Sequence, residues 1–194
     1  VLMKNFNIVE ALKTDGILNI IFRAFRSMLS RAIAWILWVS GAFQSKSMRP
    51  VAFGRGFRLI NTKSIFFNKE VSFGVMARIE SHNKGSIYFG ANTSFGDYCH
   101  IGSSNSIKIG NNVLGGSNIL IIDHNHGTSM DLNSENLPPR LREITSPGPI
   151  IIGNNVWLCD GVYVLPNVTI GDGCIIGPGV IVRKNIAPYS VIFR

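Results

Sequence analysis

From Ile152 to Val182 an aliphatic side chain falls at every sixth position: Ile152, Leu158, Val164, Ile170, Ile176 and Val182. A smaller apolar residue follows each of them by four, at Val156, Val162, Val168, Cys174, Val180 and Ile186. A period of six belongs neither to an α-helix nor to a plain alternating strand. It fits a short strand and a turn, repeated, with three repeats closing one triangular coil and neighbouring coils stacked in register. Both apolar positions then point into the prism, and the second must be small because the prism is narrow. Gly153, Gly171 and Gly177 and the twin runs GNNV at 110–113 and 153–156 mark the corners. Glycine and asparagine accept turn geometry that other residues resist.

The same pattern runs earlier in looser form. Phe73-Gly74 and Ile79-Glu80 open it, and a two-residue insertion precedes Phe89-Gly90, Phe95-Gly96 and Ile101-Gly102. A second shift leads to Ile109-Gly110, Gly115 and Ile121. The register breaks between Asp123 and Pro149, a stretch too long and too polar for a coil, and resumes at Ile152. The pattern predicts an all-β solenoid, a parallel β-helix of about five coils over 65–192, interrupted by a loop excursion at 123–149.

Residues 1–45 follow another rule. Between Ile17 and Val39 the polar residues Asn19, Arg23, Arg26, Ser27, Ser30 and Arg31 fall on one helical stripe, and the rest is apolar, including Trp35 and Trp38. This predicts an N-terminal helical segment, with Asp15 as N-cap and Gly41 as its stop. The uninterrupted apolar run Ala32–Val39 is too short to span a bilayer, which needs roughly 20 residues. No small-residue cleavage site follows, which argues against a secretory signal. Two roles fit the segment. It packs over one end or side of the solenoid or a subunit interface, or it lies on the inner face of a cell membrane, arginines at the headgroups and tryptophans below. A basic linker at 46–64 separates it from the repeats.

Charge sharpens this picture. The chain of 194 residues carries a net charge of +8. Residues 1–70 hold eleven Lys and Arg against three Asp and Glu, whereas 71–194 hold eight of each. The basic character therefore marks an N-terminal docking surface and not the repeat domain. No nucleic-acid motif accompanies it, so nucleic acid is not expected as a partner. The cysteines Cys99, Cys159 and Cys174 form no CxxC pair, which points to reduced thiols in a cytoplasmic protein.

Two segments, IGNNVLGGSNILIIDHNHG (109–127) and IIIGNNVWLCDGVYVLPNVTIGDGCIIGPGVIVRKNIAPYSV (150–191), carry a family resemblance. Residues 65–192 resemble the hexapeptide-repeat acyltransferases, closest to the galactoside, maltose and capsule or O-antigen polysaccharide O-acetyltransferases. The resemblance implies a left-handed coil, a homotrimer, acetyl-CoA as co-substrate and a carbohydrate acceptor. It places the family's general base at His126, with Asp123 and His124 orienting it or touching the acceptor. It implies that Trp157 flanks the acetyl-CoA or acceptor site. Gly161, Gly179 and Val180 would line the pantetheine groove, with Arg183 and Lys184 near the CoA phosphates. Family members usually continue past the last coil, whereas this sequence stops at YSVIFR, and the N-terminal helix is expected to fill that space.

The chemistry agrees with the motif. A sugar hydroxyl is a weak nucleophile near neutral pH, and a positioned imidazole is an efficient base for it. Arg140 and Arg142, in the excursion, are candidates to face an acidic sugar. Three alternatives remain open at this level. One is an aminosugar N-acetyltransferase. Another is a zinc hydratase in which His100 joins His124 and His126, although no metal is expected. The third is a non-catalytic scaffold. His82 and His100 have no motif around them and receive no role, and Cys159 has no visible base to make it a nucleophile.

Overall fold

The structure is a computed structural model that describes residues 8–41, 44–45, 51–127 and 137–193. Short parallel strands stack into three sheets, one on each face of a prism. The first sheet holds Gln44–Ser45, Ile65–Phe67, Ser86–Phe89, Ser106–Ile109, Ile150–Ile152 and Thr169–Ile170. The second holds Ala52–Phe53, Ser72–Phe73, Ser94–Phe95, Leu114–Gly115, Trp157–Leu158, Ile175–Ile176 and Val191–Ile192. The third holds Arg58–Ile60, Arg78–Ser81, His100–Ser103, Leu120–Ile122, Tyr163–Val164 and Ile181–Val182. The all-β solenoid expected from the repeat is therefore present.

Its interior follows the repeat closely. Leu158, Val164, Ile170 and Ile176 are fully buried, and so are Val162, Val168 and Cys174 four residues after an aliphatic position. Corner asparagines take left-handed backbone angles: Asn92, Asn112 and Asn155 have φ of 55°, 56° and 55°. Their side-chain amides form a ladder, Asn92 Nδ2 donating to Asn112 Oδ1 and Asn112 Nδ2 to Asn155 Oδ1, each at 3.0 Å.

The solenoid has about seven coils and not five, because strands begin inside the segment read as a linker. Ala52–Phe53 and Arg58–Ile60 pair with Ser72–Phe73 and Arg78–Ser81. The early coils are also longer. In the second sheet Ala52 pairs with Ser72, Ser72 with Ser94, Ser94 with Leu114 and Trp157 with Ile175, spacings of 20, 22, 20 and 18 residues. The added length lies partly on the first sheet, where Ile65 and Phe67, Ile87 and Phe89, and Ile107 and Ile109 each turn two side chains inward. The coil of 22 also has a wider corner at His82–Lys84, closed by the Gly85 N–H donating to the His82 carbonyl at 2.8 Å.

These coils carry phenylalanines where later coils carry aliphatics. Phe53, Phe73 and Phe95 stack at centroid separations of 5.5 and 5.8 Å, and Phe67 stacks on Phe89 at 5.1 Å. The column stops at Gly115, where a β-carbon would stand 2.2 Å from Phe95 Cδ1. Leu158 follows it in the next coil.

The helix runs over Ile8–Val39, so Asp15 lies inside it and is not its N-cap. It ends as expected, with Gly41 at φ 74° and its N–H donating to the Trp38 carbonyl at 2.9 Å. Its last turns cover the N-terminal coil. Ala34 is buried, and Leu37 and Trp38 pack on the core. The Ser30 hydroxyl donates to the Phe53 carbonyl and accepts from the Phe53 N–H. Ile21, Phe25, Met28, Trp35, Ile36 and Val39 are exposed. A polar residue of the stripe thus faces the solenoid while much of the apolar side faces outward, and of the two tryptophans only Trp35 is on that outer side. No helix among the described residues is long and apolar enough to cross a membrane.

Candidate active site

The strand Leu120–Ile122 delivers the chain to the DHNH motif at the corner of the third sheet. Asp123 turns inward there and is fully buried. Its carboxylate accepts from Ser103 Oγ at 2.7 Å and from the N–H groups of Ser104 at 2.7 Å and Asn105 at 3.1 Å. His124 Nδ1 lies 3.2 Å from Asp123 Oδ1. Burial alone would raise the Asp123 pKa. The hydrogen bonds from His124, Ser104, Ser103 and Asn105 outweigh it and leave the carboxyl below its ordinary value. Asp123 is therefore an ionised anchor at neutral pH. A neutral His124 with its Nδ1–H turned to this carboxylate would present Nε2 as an acceptor.

The neck of the excursion closes just beyond. Asn125 and Thr145 form an antiparallel bridge, with N–H to carbonyl distances of 2.9 and 3.0 Å. Ser146 Oγ donates to the Asp123 carbonyl at 2.6 Å. His126 projects from this neck and is exposed, with no hydrogen bond or ion pair to its ring among the described residues. Of the excursion's arginines, Arg142 donates from Nε to the Leu137 carbonyl at 3.0 Å and Arg140 is exposed. Residues 128–136 lie outside the described residues.

The other candidates lie farther along the coils. Trp157 is exposed on the second sheet, flanked by Leu114 and Ile175. Gly161 and Gly179 occupy left-handed corners at φ 69° and 66° and stack on one another. Val180, Arg183 and Lys184 line a shallow groove with Ile181, Ile186 and Ile192. This apolar floor with two cations beside it suits a pantetheine arm and its phosphates. Cys159 offers no activated thiol: partial burial, then the nearby Asp160 charge, raises its pKa. Cys99 is buried inside the prism and pushed up to about 12, chiefly by burial.

The structure brings together residues that the motif left apart. Glu80 sits on the third sheet with a side chain only 4% exposed. Its Oε2 accepts from Arg78 Nε at 3.0 Å and Nη2 at 2.7 Å, and its Oε1 lies 2.7 Å from His100 Nε2 and 3.6 Å from His82 Nε2. Burial would raise the Glu80 pKa, but the bonds and charges of His100 and Arg78 prevail and lower it. The His82 ring meets the His124 ring edge-on, at a centroid distance of 5.3 Å. His82 and His100, which received no role from their local sequence, thus belong to one cluster beside the motif. The coil register carries the missing signal, since Arg78 stacks on His100 and Glu80 on Gly102 across a 22-residue step. His100 is spent on Glu80, and no group of His, Cys, Asp and Glu among the described residues has a metal-binding arrangement.

Comparison with known proteins fits this architecture. A bacterial transferase hexapeptide pattern of six repeats matches residues 149–184. The putative lipopolysaccharide biosynthesis O-acetyl transferase WbbJ of Escherichia coli K12 is 38% identical over 135 residues, 68% of each chain. Among solved structures, the polySia specific acetyltransferase NeuO aligns with a TM-score of 0.56 at 17% identity, over 72% of this chain and 62% of its own. A point mutant of AntD, an N-acyltransferase from Bacillus cereus, aligns with a TM-score of 0.61 at 17% identity, over 73% and 74%. At such identities these two structures establish the shared fold. The repeat register, the solenoid and the similarity to the E. coli protein over two thirds of both chains lead to one conclusion: this chain belongs to the hexapeptide-repeat acetyltransferase family.

Proposed function

We propose that this chain transfers an acetyl group from acetyl-CoA to a carbohydrate hydroxyl in the assembly of a bacterial surface polysaccharide, with His126 as general base. The observation that carries this reading is the exposed His126 imidazole on a neck fastened by the Asn125–Thr145 bridge and the Ser146–Asp123 bond. The E. coli relative's name supports the polysaccharide setting.

Bound acetyl-CoA would supply the activated acetyl group. The groove at Val180, Arg183 and Lys184 holds its pantetheine arm and phosphates, and Gly161 and Gly179 keep the corners low enough for close approach. Trp157 flanks the reacting end. Arg140 and Arg142 face the acceptor. His126 takes the proton of the attacking hydroxyl at a ring nitrogen. As the new ester C–O bond forms and the C–S bond breaks, it returns that proton to the departing thiolate, so charge and protons balance. Holding both substrates in one site supplies much of the remaining rate.

His126→Ala is expected to lower kcat by roughly 10²–10⁴-fold, the usual contribution of a positioned base, with little change in acetyl-CoA affinity. Transfer of labelled acetyl to a panel of hexosides and aminosugars measures this and also separates O- from N-acetylation. Full activity in folded His126→Ala rejects the assignment. A second reading has its own support: the Asp123–His124 contact orients an imidazole as a base requires. It gains if His124→Ala loses more activity than His126→Ala.

The working unit is a homotrimer in this reading, as the family implies. Sedimentation equilibrium should give three times the 21.3 kDa of one chain. A monomeric mass would reject it. The enzyme acts in the cytoplasm, held at the inner membrane face by the outward apolar side of its helix.

A further inference from the structure

The Glu80 cluster is built more fully than a sheet surface requires. A carboxylate withdrawn from water collects Arg78, His100 and His82. Arg78 and His100 donate to this buried anion and fix its position, while His82 Nε2 stands 3.6 Å from its Oε1. His82 leans its edge on His124, and His124 in turn meets Asp123, itself held by three further donors. The succession therefore runs from Glu80 through His82 and His124 to Asp123, spanning three consecutive coils. Gly102 lies between Glu80 and His124. A β-carbon there would stand 3.4 Å from His124 Cε1 and 3.5 Å from Glu80 Cγ, so a larger side chain would wedge between them. His82 reaches this place because its coil is two residues longer at that corner than the next one.

We propose that Glu80 is a positioning residue for the loop that bears His124 and His126, acting through the His82 ring. Its kinetic consequence rests on the acetyl-transfer reading; its structural consequence does not. The charged and titratable groups facing His124 are Asp123 on its own strand end, His82 and Glu80 from the coil two below, and Arg78 and His100 through Glu80. Tyr163 follows Leu120 in the next coil. Removing the Glu80 charge frees His82 first, then His124, and with them the seating of the loop that carries His126.

The test uses Glu80→Gln and His82→Phe in the full chain with ¹⁵N-labelled histidine. His82→Phe keeps an aromatic edge against His124 and removes the nitrogen that faces Glu80, so it serves even where Glu80→Gln fails to fold. The imidazole ¹⁵N signals of His124 are expected to shift or broaden in both variants, with melting curves close to wild type for His82→Phe. In parallel, release of CoA thiol is followed with the methyl hexoside that wild type acetylates fastest. kcat should fall on the order of 10-fold or more, as loss of reactive alignment does, while KM for acetyl-CoA stays within about twofold. Unchanged His124 signals and unchanged kcat in folded variants overturn the proposal. A wild-type protein that acetylates no hexoside overturns the acetyl-transfer reading alone, and the histidine spectra still decide the role of Glu80.

Discussion

Gly115 marks the point where the core changes composition. Below it Phe53, Phe73 and Phe95 fill the prism, and the last ring occupies the room a side chain at 115 would need. Gly115→Ala should therefore overpack the core and cost about 1–3 kcal/mol, read as a lower urea midpoint at unchanged slope. An unchanged midpoint would mean that the phenylalanine stack yields easily. Asp123 gives a second prediction at this scale. Its pKa is lowered in the folded protein, so it adds stability above the ordinary carboxylate value of about 4, and that stability is lost as pH falls through the lower folded value. Asp123→Asn should unfold more readily at neutral pH yet show a shallower loss of stability on acidification. Equal acid limbs in the two proteins would contradict this. At this scale the sequence is informative where chemistry is local. His126 and Asp123 share one short motif, whereas Glu80, His82 and His100 meet only through the stacking of coils. An 18-residue repeat does not put Arg78 beside His100, because that coil holds 22 residues.

Among the elements, the late strands are legible because each inward residue repeats every six positions over six hexads. The strands at 44–60 are not. Their inward residues are Val51 and Phe53, their coils are longer, and the arginines and glycines around them read as a linker. The helix is legible as a helix, but its orientation is not. Amphipathic patterning normally predicts that the apolar side packs inward. Here Ser30 and Ala34 meet the solenoid, and Met28 and Ile36 point away from it. The exposed cations Arg55, Arg58, Lys63 and Lys69 lie in the adjoining first coils. Exposed apolar side chains on the helix, together with exposed cations in the first coils, suit an anionic membrane, where each basic residue near the surface is worth about 1 kcal/mol. Vesicles containing anionic lipid should sediment the protein, neutral vesicles should do so less, and salt should weaken the binding. Met28→Glu with Ile36→Glu should abolish it without lowering the melting temperature. Loss of oligomeric mass in that double variant, with no binding to either vesicle in wild type, would assign the surface to subunit contact.

At the scale of the whole molecule, the excursion and the solenoid meet across a narrow base. The coil that contains it spans 43 residues from Leu114 to its partner Trp157, yet both ends of the detour return to the regular register. The Asn125–Thr145 rung and the Ser146–Asp123 bond hold those ends together. In such a construction the length of the detour is nearly free of cost to the scaffold, because doubling a closed loop adds only about 0.6 kcal/mol of ordering entropy. Evolution or a designer can therefore exchange the stretch between the rungs as a cassette. Under the acetyl-transfer proposal, changing that stretch would alter acceptor preference without rewriting any coil, and the neck that carries His126 would stay where it was.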